Sequence, residues 1–178
     1  KSTYKFWTFP RYCRLTHVSY NKKEINNDDW NYSTYLLCQI GTFIFSGKGK
    51  FDKIQFYFSN CNIKYANLYI VESLRIEDSE IKYLLIGDGC KELYIKNTIF
   101  SNKNKPPKEY AFIYGETNWG LVISGRGYES IKIDSCTFEK IPDEWKKEYP
   151  NLWNEASIQD VTCEKLSITN CTFNSHFS

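Results

Sequence analysis

The sequence predicts an all-β fold, with short parallel strands stacked coil on coil into a solenoid of about five to seven coils. Three observations carry that prediction. An eight-residue phrase recurs as Phe56-Tyr-Phe-Ser-Asn-Cys-Asn-Ile63, Leu74-Arg-Ile-Glu-Asp-Ser-Glu-Ile81, Leu93-Tyr-Ile-Lys-Asn-Thr-Ile-Phe100, Ile131-Lys-Ile-Asp-Ser-Cys-Thr-Phe138 and Leu166-Ser-Ile-Thr-Asn-Cys-Thr-Phe173. Each copy reads apolar-x-apolar-x-polar-small-x-apolar, and one unit cannot bury its apolar face until a neighbour stacks on it. The copies end at 63, 81, 100, 138 and 173, so the gaps are 18, 19, 38 and 35 residues. Finally, one polar slot holds Asn60, Asp78, Asn97, Ser135 and Asn170. Asn and Asp tolerate the left-handed backbone of a tight corner, and stacked copies would form a side-chain amide ladder.

Taken in chain order, residues 1–50 do not carry the phrase and are rich in aromatics, among them Phe6, Trp7, Phe9, Trp30, Tyr32 and Tyr35. A solenoid end is a row of unpaired strand edges, so this segment is expected as an aromatic N-terminal cap, ending in the strand Thr42-Phe-Ile-Phe45. Residues 51–178 are expected to hold the coils, and the whole to form one structural domain. Within each phrase, alternation sends Leu74/Ile76, Leu93/Ile95, Ile131/Ile133 and Leu166/Ile168 to one side. A second short strand follows in the first coils, at Leu68-Tyr-Ile70 and Leu84-Leu-Ile86. The gap of 38 is twice 19, which predicts one degenerate coil containing Phe112-Ile-Tyr114 and Leu121-Val-Ile123. The gap of 35 is expected to be one coil plus an insertion at 141–155. There Pro142, Asp143 and Glu144 suit a helix start, Trp145 and Tyr149 share a face, and Pro150 stops a short helical side loop.

The chain has 178 residues, 23 basic and 21 acidic, for a net charge of +2, with no basic block. That balance gives no reason to expect nucleic acid as a partner, and no apolar run approaches the ~20 residues of a membrane span. A chain that opens on Lys1 and contains no Met is expected to be processed or trimmed. The seven cysteines follow the phrase, not a zinc or disulfide spacing. Cys61, Cys136 and Cys171 share a slot with Ser79 and Thr98, as expected of small groups packed inside a stack. Free thiols favour a reducing compartment, hence a cytoplasmic location.

The phrase Leu-x-Ile followed by Asn-Cys-Thr-Phe, at 166–173, resembles the coil phrase of right-handed parallel β-helix proteins, the pectin-lyase-like superfamily. The resemblance covers roughly 51–173 outside the insertion. It implies the right-handed coil, but it says little about activity, since lyases, hydrolases, phage tailspikes and non-enzymatic modules share the fold. Lyases and hydrolases of that superfamily place acids on outward positions of adjacent coils. Here the outward columns read Arg75, Tyr94, Lys132, Ser167 and Glu77, Lys96, Asp134, Thr169, so basic residues separate the acids. A lyase-like site would draw on Glu77 and Asp134 with Lys96 or Lys132. Glu72, Glu92, Glu129 and Glu164 stand just ahead of their strands and are expected to stack as one column of carboxylates. Such carboxylates offer oxygens to a hard cation, but a solvated turn edge accounts for them better. No metal and no cofactor is assigned. His17 and His176, one near each end, suggest no catalytic constellation, and Gly87-Asp-Gly89 and Gly120–Gly127 read as tight turns. Trp119, Trp145, Tyr149 and Trp153 lie on or beside loops, where flat rings anchor a protein partner or stack on a glycan. The expectation is a non-catalytic recognition or assembly module for a protein partner, with a carbohydrate-active or glycan-binding domain as the alternative. Oligomeric state is left open.

Overall fold

A computed structural model describes residues 14–21, 32–46, 55–69, 71–88, 90–102, 118–148 and 154–174. The described residues form an all-β structure of sixteen strands and one short helix. A six-stranded sheet contains β2 (Tyr32–Leu36), β4 (Gln55–Ser59), β6 (Ser73–Glu77), β9 (Glu92–Lys96), β12 (Tyr128–Asp134) and β15 (Cys163–Thr169), side by side in that order. The second sheet has ten strands. It starts with β1 (Arg14–Asn21), β3 (Gln39–Ser46) and β5 (Asn62–Tyr69), and then divides. The start of β5 pairs with β7 (Glu80–Ile81), which leads to β10 (Ile99–Phe100), β13 (Thr137–Phe138) and β16 (Thr172–Phe173). The rest of β5 pairs with β8 (Tyr83–Ile86), which leads to β11 (Asn118–Ser124) and β14 (Asn154–Gln159). This sheet therefore branches at β5, where two strand rows leave one long strand.

Every pairing among the described strands is parallel, and the phrase sets the register. Phe56, Leu74, Leu93, Ile131 and Leu166 align across the six-stranded sheet, as do Phe58, Ile76, Ile95, Ile133 and Ile168. The pattern is compatible with stacked β-helical coils. The ladders also extend into residues 1–50, since β2 pairs with β4 and β3 with β5.

One expectation about spacing is corrected. No strand lies between β10 and β13, or between β9 and β12, which pair directly. The gap of 38 is therefore a single step of the ladder lengthened by an excursion. Leu121–Ile123 belongs to β11, the second strand of that same step, and aligns directly on Leu84–Ile86. Phe112–Tyr114 lies outside the described residues. Counting residues cannot tell one step of the ladder from two; the pairing can. The gap of 35 is likewise one step, since β15 pairs directly with β12, and the insertion carries α1 (Asp143–Glu148) with both acids in its first turn.

The corners follow the polar slot. Asn60, Asp78, Asn97, Ser135 and Asn170 all have positive φ, between 46° and 55°. Leu37 does too, at φ 54°, in a copy that the sequence hides. Each corner N–H donates to a carbonyl one step further on: Leu37 to Ser59, Asn60 to Glu77, Asp78 to Lys96, Asn97 to Asp134 and Ser135 to Thr169. The expected amide ladder is realised only in part. Asn97 Nδ2 donates to Asp78 Oδ1 at 3.1 Å, whereas Asn170 Nδ2 reaches Asp134 Oδ1 and Asn60 Nδ2 bonds Ser59 Oγ.

Inside, the small slot is a second ladder. Cys38, Cys61, Ser79, Thr98, Cys136 and Cys171 each donate to the carbonyl two residues back, at 2.7–3.4 Å. A larger group there would strike the neighbouring step, and an apolar one would leave that carbonyl without this bond. All six cysteines among the described residues are free thiols. Burial pushes the Cys61 thiol up to about 11 and the Cys90 and Cys136 thiols up to about 12. The last phrase position stacks Phe100 on Phe138 and Phe138 on Phe173, with centroids 4.7 Å apart and rings within 4° of parallel. That spacing is the strand spacing itself. The second corner is pinned differently. The buried Tyr128 hydroxyl donates to Ser124 O at 3.0 Å, and Asp88 Oδ1 accepts from Arg126 N at 2.9 Å. Gly125 has φ +96°, and a Cβ there would fall 2.1 Å from Asp88 Oδ1, so only glycine fits.

Candidate functional site

Alternation along the six-stranded sheet leaves one side chain in two pointing outward. Register then lines these up as columns across the strands. One column runs Tyr57, Arg75, Tyr94, Lys132, Ser167. Neighbours are one strand spacing apart, about 4.8 Å, close enough for cations to insert between rings. The Arg75 guanidinium lies 5.5 Å from the Tyr57 ring centroid and 5.2 Å from that of Tyr94, and Lys132 Nζ lies 5.2 Å from Tyr94 on its other side. The result is a continuous Tyr–Arg–Tyr–Lys stack. Each such contact contributes about 0.5–1 kcal/mol at an exposed site.

The adjacent column runs Ser59, Glu77, Lys96, Asp134, Thr169. Glu77 joins the two columns. Its Oε1 accepts from Arg75 at 2.7 Å and its Oε2 from the Tyr57 hydroxyl at 2.8 Å. Partial burial pushes the Glu77 carboxyl up, but the bonds from Arg75 and Tyr57 outweigh it and hold it below its ordinary range. Partial burial, reinforced by Glu77, raises the Tyr57 hydroxyl. Asp134 is held low by bonds from Thr169 Oγ1 at 2.7 Å and Asn170 Nδ2 at 3.1 Å.

Glu77, Lys96, Asp134 and Lys132 therefore do share one face. Within it, however, the strand carrying Lys96 stands between the strands carrying Glu77 and Asp134. Both carboxylates are kept ionised and already engaged, and neither has a raised pKa such as a general acid needs near neutral pH. The sequence columns omitted Tyr57, although its place in the first phrase was the signal for it.

The glutamates ahead of the strands do not form the expected column. Register aligns Ser73 with Glu92 and Ser130, so Lys91, not Glu92, stands in line with Glu72 and Glu129. Lys91 Nζ lies 3.8 Å from both Glu72 Oε1 and Glu129 Oε1, so a cation of the chain already sits between those carboxylates. Among the described residues no group of three or more His, Cys, Asp and Glu could hold a metal ion. No helix among them is long and apolar enough to cross a membrane.

Of the four loop aromatics, Trp145 sits in α1 and is only 7% exposed. Its ring is therefore buried and not presented as a flat contact surface. Trp119 falls in β11, while Tyr149 and Trp153 lie outside the described residues. Comparison with known proteins finds no matching family model, no matching curated protein and no matching solved structure.

Proposed function

We propose that this chain is a short right-handed parallel β-helix serving as a non-catalytic recognition module, with the outward face of the six-stranded sheet as its contact surface for a protein partner. A chain that alternates between two parallel ladders, step after step, suits a β-helix, and parallel crossovers are overwhelmingly right-handed. The reading rests chiefly on the Tyr57–Arg75–Tyr94–Lys132 stack, braced by Glu77. Tyr and Arg are the side chains that dominate binding energy at protein interfaces. Here their rotamers are held before any partner arrives, which lowers the entropic cost of binding. Acids alternating with cations favour a partner surface of mixed charge over a polyanion.

The test compares wild-type protein with Arg75→Ala and Tyr94→Ala as immobilised bait. A partner held by the wild type and bound roughly tenfold or more weakly by either variant supports the reading. Equal capture by all three overturns the face assignment. A glycan array lit by the wild type, with no protein partner, would replace it with the glycan-binding alternative.

A further inference from the structure

The far edge of both ladders is formed by β14, β15 and β16, and no described strand continues beyond them. The inward residues of this last step are Ala156, Ile158, Val161, Cys163, Leu166, Ile168, Cys171 and Phe173. Leu166 occupies the column of Leu74, Leu93 and Ile131, which are buried, yet it is 57% exposed. Ile158, Val161, Cys163, Ile168, Cys171 and Phe173 are only partly buried against the core. The edge thus exposes apolar side chains together with a strand edge.

Read backwards, that row superimposes on itself. Its spacings run two, three, two, three, two, three, two, and the midpoint falls between Glu164 and Lys165. A second copy approaching by the same edge is related by a two-fold axis, so its β15 runs antiparallel. Centred on that midpoint, Leu166 faces Cys163 of the second copy, Ile168 faces Val161, Cys171 faces Ile158 and Phe173 faces Ala156. Glu164 faces Lys165 of the second copy, and the axis makes that pair twice. The preceding step has the same spacing but lacks the complementarity: Arg126 stands where Val161 does, and Glu129-Ser130 stands at its centre. Like charges or unpaired charges at these positions would oppose pairing, and the last step has neither in its inward row or at its centre.

We propose that the β14–β15–β16 edge is an isologous dimer interface between two copies of this chain, paired antiparallel through β15. The surface is distinct from the outward face of the six-stranded sheet, so recognition and pairing can succeed or fail independently. Opposing side chains across such a pair lie about 4.5–5.5 Å apart at Cβ, close enough to be read chemically.

Light scattering on the purified chain over a concentration series should give a dimer mass. Leu166→Asp, at an exposed position, should give a monomer. Lys165→Glu places Glu against Glu twice and should weaken the dimer roughly tenfold. Glu164→Lys combined with Lys165→Glu recreates both pairs and should restore it. Leu166→Cys should link to Cys163 of the second copy when diamide removes two electrons and two protons from the thiols, and Cys163→Ser should abolish that link. A monomer at every concentration, growth beyond a dimer, or failure of the double reversal to restore pairing would each overturn the proposal.

Discussion

Leu37 shows how a single residue can depart from the rule that its fold obeys. At φ 54° it occupies the corner that Asn, Asp or Ser fills elsewhere, and its side chain is 41% exposed, so packing does not explain its presence. A left-handed backbone costs an ordinary L-residue about 1–2 kcal/mol, and Asn relieves part of that. Leu37→Asn should therefore stabilise the protein by about 1 kcal/mol, read from urea midpoints at unchanged slope. Glu77 makes a second residue-scale prediction. Its carboxyl ionises lower in the folded chain than the ordinary 4.5. The stabilisation it gives is present above that value and is lost as pH falls through the folded value. Melting temperature should drop in that acid window, and Glu77→Gln should flatten the drop; an unchanged acid profile would contradict the Arg75–Glu77–Tyr57 network.

At the scale of elements, the phrase is a recipe for one strand, one corner and one ring. The ring column gives the clearest energetic gradient. Phe138 is stacked on both faces and fully buried, whereas Phe173 is stacked on Phe138 and only partly buried. Phe138→Ala should cost about 3–5 kcal/mol, and Phe173→Ala distinctly less; equal losses would show that stacking does not set the order. The strands of each phrase, the left-handed corners and the thiol slot were legible in the sequence because each is a local requirement repeated at fixed spacing. The step at Tyr35–Ile40 was not, because Ser33 and Leu37 break two of its marks while Cys38 and Ile40 keep the others. The Glu72–Lys91–Glu129 column was misplaced by one residue, since only register shows which side chain stands above which. The Arg75 stack was half legible: Arg75, Tyr94 and Lys132 stood in one outward column, but Tyr57 and the insertion of Arg75 between two rings did not show.

For the whole molecule, the thiol ladder offers a measure of cooperativity. Cys61, Cys90 and Cys136 are buried and hard to ionise. An alkylating reagent at pH 8 should leave these three untouched in the native protein, with reaction following unfolding of the ladder. Mass spectrometry on peptides would locate the label. Fast labelling of Cys61 or Cys136 under native conditions would mean that the steps open singly instead of together.

The lengthened step between β10 and β13 bears on how such a chain changes over evolutionary time. Register is held by inward columns and not by the amount of chain between strands, so neighbours still pair directly across it. Doubling a flexible loop costs only about 0.6 kcal/mol of closure entropy. Excursions can therefore be lengthened, exchanged or inherited from elsewhere while the strands around them stay fixed, which separates the ancestry of the scaffold from that of the segments it carries.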